Sequence, residues 1–248
     1  MQASPACRLF VGDDLGEGRS LELSNQQSHY LCHVLRLSNG AAIGVFNGRD
    51  GEWLAYLARR GKGGVGLDTI RLIRAQTPTG DLQLLFAPLK HARLDYMVQK
   101  AVEMGVSCLV PVTTRYTQVA RLNLDRMRAN AIEAAEQCNI LSLPEIRPLT
   151  TLDDALRAIE PARLLIYCDE KAPRGNPLDA LQGACRGPLA VLIGPEGGFA
   201  QQERNQVLMQ SKVVRLSLGP RVMRADTAAV AALALVQACL GDWIGHDP

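Results

Sequence analysis

Two short segments near the C-terminus concentrate residues whose types and spacing could do chemistry. The first is Leu192-Ile193-Gly194-Pro195-Glu196-Gly197-Gly198-Phe199, which follows an apolar run that reads as a buried strand and precedes a helical pattern. It therefore falls at the carboxyl edge of a sheet, where open α/β folds bind ligands. Its three glycines remove side chains where a ligand or a second backbone segment must approach closely. Pro195 stiffens the entry, and Glu196 sets a carboxylate among backbone donors, able to accept a ligand hydroxyl or amine. A tight strand–helix turn would use the same glycines.

The second segment, Leu216-Ser217-Leu218-Gly219-Pro220-Arg221-Val222-Met223-Arg224-Ala225-Asp226-Thr227, leaves the next strand, turns at Gly219-Pro220 and enters an Ala-rich helix. Asp226 or Thr227 can cap that helix. Capping accounts for those two residues and leaves Arg221 and Arg224 to be explained. Two guanidinium forks three residues apart at a sheet edge predict that something anionic binds there.

Other patterns lose on context. Gly61-Lys62-Gly63-Gly64-Val65-Gly66 matches a dinucleotide fingerprint, but that site needs a helix after it and a βαβ unit around it. Here 67–73 reads as a strand, so the segment is expected to be a hairpin connection. His29 and His33 have the i, i+4 spacing of zinc ligands, without a third ligand or the H-E-x-x-H glutamate, and are expected to pack or face solvent. The seven cysteines are odd in number with no C-x-x-C, which fits neither a disulfide framework nor a zinc module. Most are expected to be small buried hydrophobes. No metal site is expected.

The elements that must position the two segments follow from periodicity. Strands are expected at 82–88, 106–112, 163–168, 188–194 and 213–218. Helices are expected at 91–104, closed by Gly105, then at 124–137, 153–159 and 226–239. Apolar strands alternating with helices predict an α/β domain with a mainly parallel sheet covered on both faces. Before it, Ser24 and Gln27 form a capping box for a helix reaching about residue 37. Strands at 41–46, 52–60 and 65–73, separated by Asn-Gly and Asp-Gly turns, suggest a small barrel. Pro78 and Gly80 break the polar stretch 75–80, so the domains are placed at 1–74 and 75–248.

Composition narrows the partners. The chain has 248 residues, 47% apolar and 21% charged, as in an ordinary globular protein. A net charge of +2 carries no global signature of nucleic-acid binding and argues against charge-driven membrane association. The surplus lies entirely in residues 1–80, with nine basic against seven acidic side chains; 81–248 holds 18 of each. Of 27 basic residues 22 are Arg, which suits phosphate recognition and equally suits codon bias in a GC-rich genome. The longest uncharged run, 227–241, is too short to span a bilayer, and residues 1–15 hold no apolar run of signal-peptide length. A cytoplasmic protein is expected.

The two segments together, LIGPEGGFAQQE over 192–203 and LGPRVMRADTAAVAAL over 218–233, resemble the RsmE family of bacterial 16S rRNA uridine-N3 methyltransferases, in the SPOUT superfamily. Similar residues recur at 8–11, 33–37, Lys90, 99–106, 133–138 and 144–146, so the resemblance covers essentially the whole chain. The pattern is departed from at Thr114, which precedes Arg115 where Glu-Arg is usual, and at Asn139-Ile140, where Gly-Arg is common.

The resemblance implies a PUA-like β-barrel over 1–74 and a SPOUT α/β domain over 75–248, with a deep trefoil knot. It implies a homodimer with active sites at the subunit interface, acting on N3 of one uridine, the 1498 equivalent, in the 16S rRNA of the small ribosomal subunit. S-adenosyl-L-methionine is expected against Cys168, Ile193, Gly194, Pro195, Glu196, Gly197, Gly198, Leu216, Leu218, Gly219, Val222, Met223, Arg224 and Thr227. Arg224 and Arg221 are the candidate catalytic residues, with Glu136 a substrate-side carboxylate. For the RNA, Arg8 and Arg36 are expected on phosphates and Lys90 and Arg115 nearer the target base. Rival readings are a SPOUT enzyme acting on tRNA or a ribose 2′-oxygen, and a non-catalytic RNA-binding assembly protein; a nicotinamide oxidoreductase is disfavoured by the context of 61–66.

Overall fold

The computed structural model describes residues 4–60, 64–173 and 175–243. The chain divides into two compact units, 1–78 with 135–143, and 79–134 with 144–248.

In the first unit, strands β1 (Arg8–Phe10), β2 (Ser20–Glu22), β3 (Ala42–Phe46), β4 (Glu52–Arg59) and β5 (Val65–Arg74) form a curled sheet in the order β1-β3-β4-β5-β2. All neighbours are antiparallel except β1 and β3. Leu9, Leu21, Ile43, Val45, Leu57 and Leu67 pack as its core. β1 and β2 escape sequence reading because three residues are too few to show an alternation.

β4 pairs with β5 as a hairpin, and the Arg60 N–H donates to Gly64 O at 2.8 Å. The element after the glycine-rich segment is thus a strand, which excludes a dinucleotide fold there; Gly61, Lys62 and Gly63 themselves lie outside the described residues. The expected helix begins at the Ser24/Gln27 capping box as α1 (Asn25–His29) and continues as a π-turn over Tyr30–Val34. It stops early because Arg36 adopts a left-handed φ of 54°. His29 and His33 lie ring against ring at 5.1 Å.

Arg8 corrects an expectation. Its side chain is 10% exposed and its donors are engaged within the unit. Nε donates to Glu52 Oε1 at 2.7 Å, Nη1 to the carbonyls of Ala135 and Glu136, and Nη2 to Ile140 O at 2.8 Å. The guanidinium also sits 4.3 Å from the centre of the Phe46 ring. Bonds committed in this way tie the fork to its own unit instead of holding it out to solvent.

The second unit contains β6 (Leu82–Phe86), α2 (Ala92–Glu103), β7 (Cys108–Thr113), α3 (Leu124–Gln137), β8 (Glu145–Ile146), β9 (Thr150–Thr151), α4 (Leu152–Arg157), β10 (Leu164–Cys168), α5 (Pro177–Gln182), β11 (Leu189–Ile193), α6 (Gln201–Leu208), β12 (Val213–Leu216) and α7 (Ala225–Cys239). The last turn of α3 belongs with the first unit. The sheet runs β12-β10-β11-β6-β7-β8, with β9 also beside β7, and every pairing is parallel. Every residue of β6 and of β11 is buried, which is why β11 reads as a continuous apolar run and β6 as one broken only by the buried Gln83.

After β11 the chain passes to the far side of β10 to form β12, and α7 then returns to pack on β11, α2 and α5. Gly105 ends α2 at φ 77°. Beside it Gln237 of α7 donates to Met104 O at 2.6 Å, tying the two helices together. Of the seven cysteines, all free, only Cys108 is buried; Cys138 and Cys185 are exposed and the rest half-buried. The expectation of mostly buried thiols fails because a small side chain fits half-covered positions as readily as core ones.

The engagement of Arg8 has a measurable consequence. Arg8→Ala removes a partner of the buried Glu52 carboxylate, which keeps Arg74 at 2.9 Å, and strips three carbonyls of their donor. The loss is expected to be about 2–4 kcal/mol of stability by chemical denaturation. The salt slope of RNA binding should stay that of the wild type; a slope reduced by about one would return Arg8 to the phosphate contacts.

Candidate active site

Three parallel strands, β10, β11 and β12, release their chains at the same sheet edge, and a cavity of about 210 Å³ lies among the three exit loops. Tyr167, Cys168, Asp169 and Glu170 come from the end of β10, and residues 193–196, Gly198 and Phe199 from the end of β11. Leu216 to Met223 come from the end of β12, while Arg204 of α6 and Ala225 and Ala228 of α7 complete the lining.

Most of the sequence-predicted residues meet here. Cys168, Ile193, Gly194, Pro195, Glu196, Gly198, Leu216, Leu218, Gly219, Val222 and Met223 all line the cavity, and Arg221 lines it with them. Gly197, Arg224 and Thr227 do not. Gly197 backs onto Tyr116, whose Cβ would stand 3.1 Å from any added Cβ. Arg224 begins α7 as its backbone N-cap, with a side chain 64% exposed and Nε 3.8 Å from Asp226 Oδ1. The Thr227 N–H donates to Asp226 Oδ1 at 2.9 Å, so Asp226 serves the helix start and Thr227 stays exposed. Glu136 lies in the first unit, where its Oε1 accepts the Phe10 N–H at 2.8 Å.

The three glycines have three causes. A Cβ on Gly194 would stand 2.5 Å from Phe199 Cε2, so this glycine is demanded by the Phe199 ring rather than by a threaded loop. Gly198 takes a φ of 69° against the Glu170 carboxylate. Gly219 takes a φ of 101° with nothing within 4 Å of an added Cβ, leaving its bare backbone at an open stretch of the wall.

Charge is arranged in layers. Asp169, 1% exposed in its side chain, accepts both Nη groups of Arg204 at 2.9 and 3.1 Å and Arg215 Nε at 2.9 Å. At the rim, Glu196 pairs with Arg93 of α2 at 3.3 Å, both half-exposed. Glu203 Oε1 accepts the Arg115 N–H at 2.7 Å and Oε2 the Ala200 N–H at 2.8 Å, so it closes the first turn of α6 and leaves the Arg115 side chain exposed. Lys90 and Arg36 are exposed, each in its own unit. Among the described residues no group of three or more His, Cys, Asp or Glu is placed to hold a metal ion.

Residues 75–237 match the RNA methyltransferase domain family. The chain belongs to that family. Residues 23–67 match the RNA methyltransferase PUA domain. The resemblance to RsmE is borne out by relatives: the chain is 29% identical to the ribosomal RNA small subunit methyltransferase E of Rickettsia conorii, over 93% of this chain and 94% of that one. Among solved structures, it superposes with a TM-score of 0.82 on a methyltransferase of Legionella pneumophila holding the bound cofactor SAM. Identity there is 29%, over 96% of this chain and all of the other. The ribosomal RNA small subunit methyltransferase E of Neisseria gonorrhoeae, bound to S-adenosyl methionine, is similar at 25% identity and a TM-score of 0.81, over 94% and 98% of the two chains.

In this methyltransferase the cavity side chains that sequence reading misses are chiefly Tyr167, Asp169, Glu170, Phe199 and Arg204. The sheet-edge rule that points to the ends of β11 and β12 applies equally to β10, so the first three are reachable from sequence. Arg204 is not, because a charged residue inside a polar helix carries no mark of burial. The thiol of Cys168 is pushed up to about 12 by burial. The Tyr167 hydroxyl is likewise raised well above its ordinary value, by burial and then by the Asp169 charge. Both stay protonated at neutral pH, and neither is a base.

The contact between Gly194 and Phe199 can be tested directly. Gly194→Ala drives a methyl into the Phe199 ring, which packs edge-on against Tyr167 at 5.3 Å. An expected loss of about 1–3 kcal/mol in urea unfolding should shrink when Phe199→Leu is added. Additive losses in the double variant would show that the ring is not what the glycine accommodates.

Proposed function

We propose that this methyltransferase moves the methyl group of S-adenosyl-L-methionine to N3 of one uridine, the 1498 equivalent, in the 16S rRNA of the small ribosomal subunit. The observation that carries the reading is a single cavity joining the three strand-exit loops, with Arg221 in its wall and Arg224 exposed next to it on the chain. The residues present fit the cofactor. Ile193, Leu216, Leu218 and Met223 offer apolar surface for a base, Glu170 and Glu196 offer carboxylates to hydroxyls or an ammonium, and Gly219 leaves backbone open. When bound, S-adenosyl-L-methionine supplies a methyl group already activated on a sulfonium.

The chain contributes alignment and charge. Holding the attacking nitrogen in line within walls fixed by three strands can supply roughly 7–11 kcal/mol of the barrier. Uridine N3 is an imide nitrogen whose proton leaves before or during attack, so negative charge develops on the neighbouring carbonyl oxygens. Arg224 and Arg221 stabilise that charge, and a carboxylate or water takes the proton.

The first domain, 1–74, is read as the RNA-binding PUA-like barrel and 75–248 as the catalytic SPOUT domain. Arg36 serves phosphates; Lys90 and Arg115 lie nearer the base. A deep knot agrees with the placement of β12 beyond β10 and the return of α7 to β11. A homodimer with active sites at its interface is supported by α7, which is apolar at every position from Ala228 to Val236 yet leaves Val230, Ala231, Ala234 and Leu235 half-exposed. The enzyme is read as cytoplasmic because its proposed substrate is the ribosomal small subunit.

Two measurements test the reading. Labelled cofactor supplied with unmodified small subunits should yield N3-methyluridine at one position of 16S rRNA; methylated tRNA or ribose, or no incorporation, would overturn it. Arg224→Ala should cut methyl transfer by roughly 10²–10³-fold while cofactor affinity stays near that of the wild type. Unchanged turnover would remove Arg224 from the chemistry.

A further inference from the structure

We propose that Asp169 is a positioning residue that holds the three walls of the cavity in register through Arg204 and Arg215. The proposal rests on the reading that the cavity takes S-adenosyl-L-methionine. Asp169 follows directly on β10 and stands in the first wall beside Cys168 and Glu170. Arg204 rises from α6, the helix that continues from the Gly194–Phe199 loop of the second wall. Arg215 is the penultimate residue of β12, immediately before Leu216 and Ser217 of the third. One carboxylate therefore meets a donor from each of the other two walls.

The geometry is closed on every side. Asp169 Oδ1 accepts Arg204 Nη1 at 2.9 Å and the Lys171 N–H at 3.0 Å. Oδ2 accepts Arg204 Nη2 at 3.1 Å and Arg215 Nε at 2.9 Å. The backbone agrees, since the Asp169 N–H donates to Leu216 O at 3.1 Å and Arg215 Nη2 to Lys171 O at 2.9 Å. Arg204 Nε is buried and meets no acceptor among the described residues, where the hydrogen bonds of that guanidinium run to Asp169. Two cations share one anion. Without the carboxylate, Arg204 and Arg215 face each other as like charges in a poorly solvated place, and the relief open to them is to separate α6 from β12. That separation spreads the second and third walls, so the cavity is altered before the rest of the sheet is.

Calorimetric binding of S-adenosyl-L-methionine to the full chain, with steady-state kinetics on small subunits, tests this. Asp169→Asn should raise the cofactor Kd and KM by about tenfold or more. In Arg215→Met, whose side chain is not part of the cavity lining, kcat at saturating cofactor and KM for the subunit should stay within about twofold, because the misplaced groups serve the cofactor walls. Arg215→Met, which keeps the Asp169–Arg204 pair and alters a half-exposed residue, should give a smaller rise in the same direction. Arg215→Lys, which keeps the charge, should recover part of it. If Asp169→Asn does not fold, Arg215→Met is the deciding variant. A wild-type Kd in Arg215→Met, or a loss of binding stoichiometry at unchanged Kd, would reduce the cluster to a plain stabilising role and overturn the proposal. A wild-type chain that binds no S-adenosyl-L-methionine would instead overturn the reading of the cavity.

Discussion

Parallel pairing of β10 between β11 and β12 is the constraint on which the rest of the second unit depends. Neighbouring parallel strands end at the same edge, so their exit loops are forced together whatever their sequences. The register sharpens this: Tyr167 lies opposite Leu192 on one side and Arg215 on the other, which sets the three exits at nearly one level. Each parallel step needs a crossover, which accounts for α5 and α6, and the burial of both sheet faces accounts for β11 being apolar at every position. The cavity is a consequence of that pairing, and its walls are backbone before they are side chain.

Arginine does two jobs in this chain, and burial separates them. Arg8, Arg163 and Arg204 are buried forks that bind carboxylates, two of them carbonyls as well, inside single units. Arg163, for example, joins Asp81 and Glu160 and donates to Leu189 O at 3.0 Å, stitching the entry to β10 to the strand beside it. Lysine could not do this, because a single ammonium lacks the planar, multi-donor geometry. Arg36, Arg115, Arg221 and Arg224 are exposed, with Arg224 only loosely paired to Asp226 at 3.8 Å. A near-neutral total therefore conceals an uneven supply of available positive charge, and net charge alone is a poor guide to an RNA partner.

The parts of the fold legible in the sequence are those governed by local rules. The Ser24/Gln27 box, Gly105 at the end of α2, and the apolar runs of β10 and β11 each follow from capping, left-handed backbone or burial, all of which act within a few residues. The glycines of the site are legible in place but not in cause: Gly194 answers to a ring five residues on, which spacing alone does not reveal. Arg8 escapes such rules because its partners, Glu52 and the carbonyls at 135–140, are far away in sequence. The order β12-β10-β11 has the same character, since strand order is decided by crossovers and not by the strands themselves.

A site built this way divides its sensitivity unevenly. Apolar wall positions such as Ile193, Leu216 and Leu218 offer surface that several side chains of similar volume would supply. Gly198 and Gly219 cannot be exchanged so freely, because their φ values of 69° and 101° fix the course of two exit loops. Asp169 is more restricted still, since a replacement must be short, charged and able to accept from two guanidinium groups at once. Shape is thus stored in a few backbone conformations and one ion cluster. Arg221 and Arg224, both exposed, lie outside that ion cluster, so the scaffold is rigid where the three exit loops meet and open at its arginine-bearing rim.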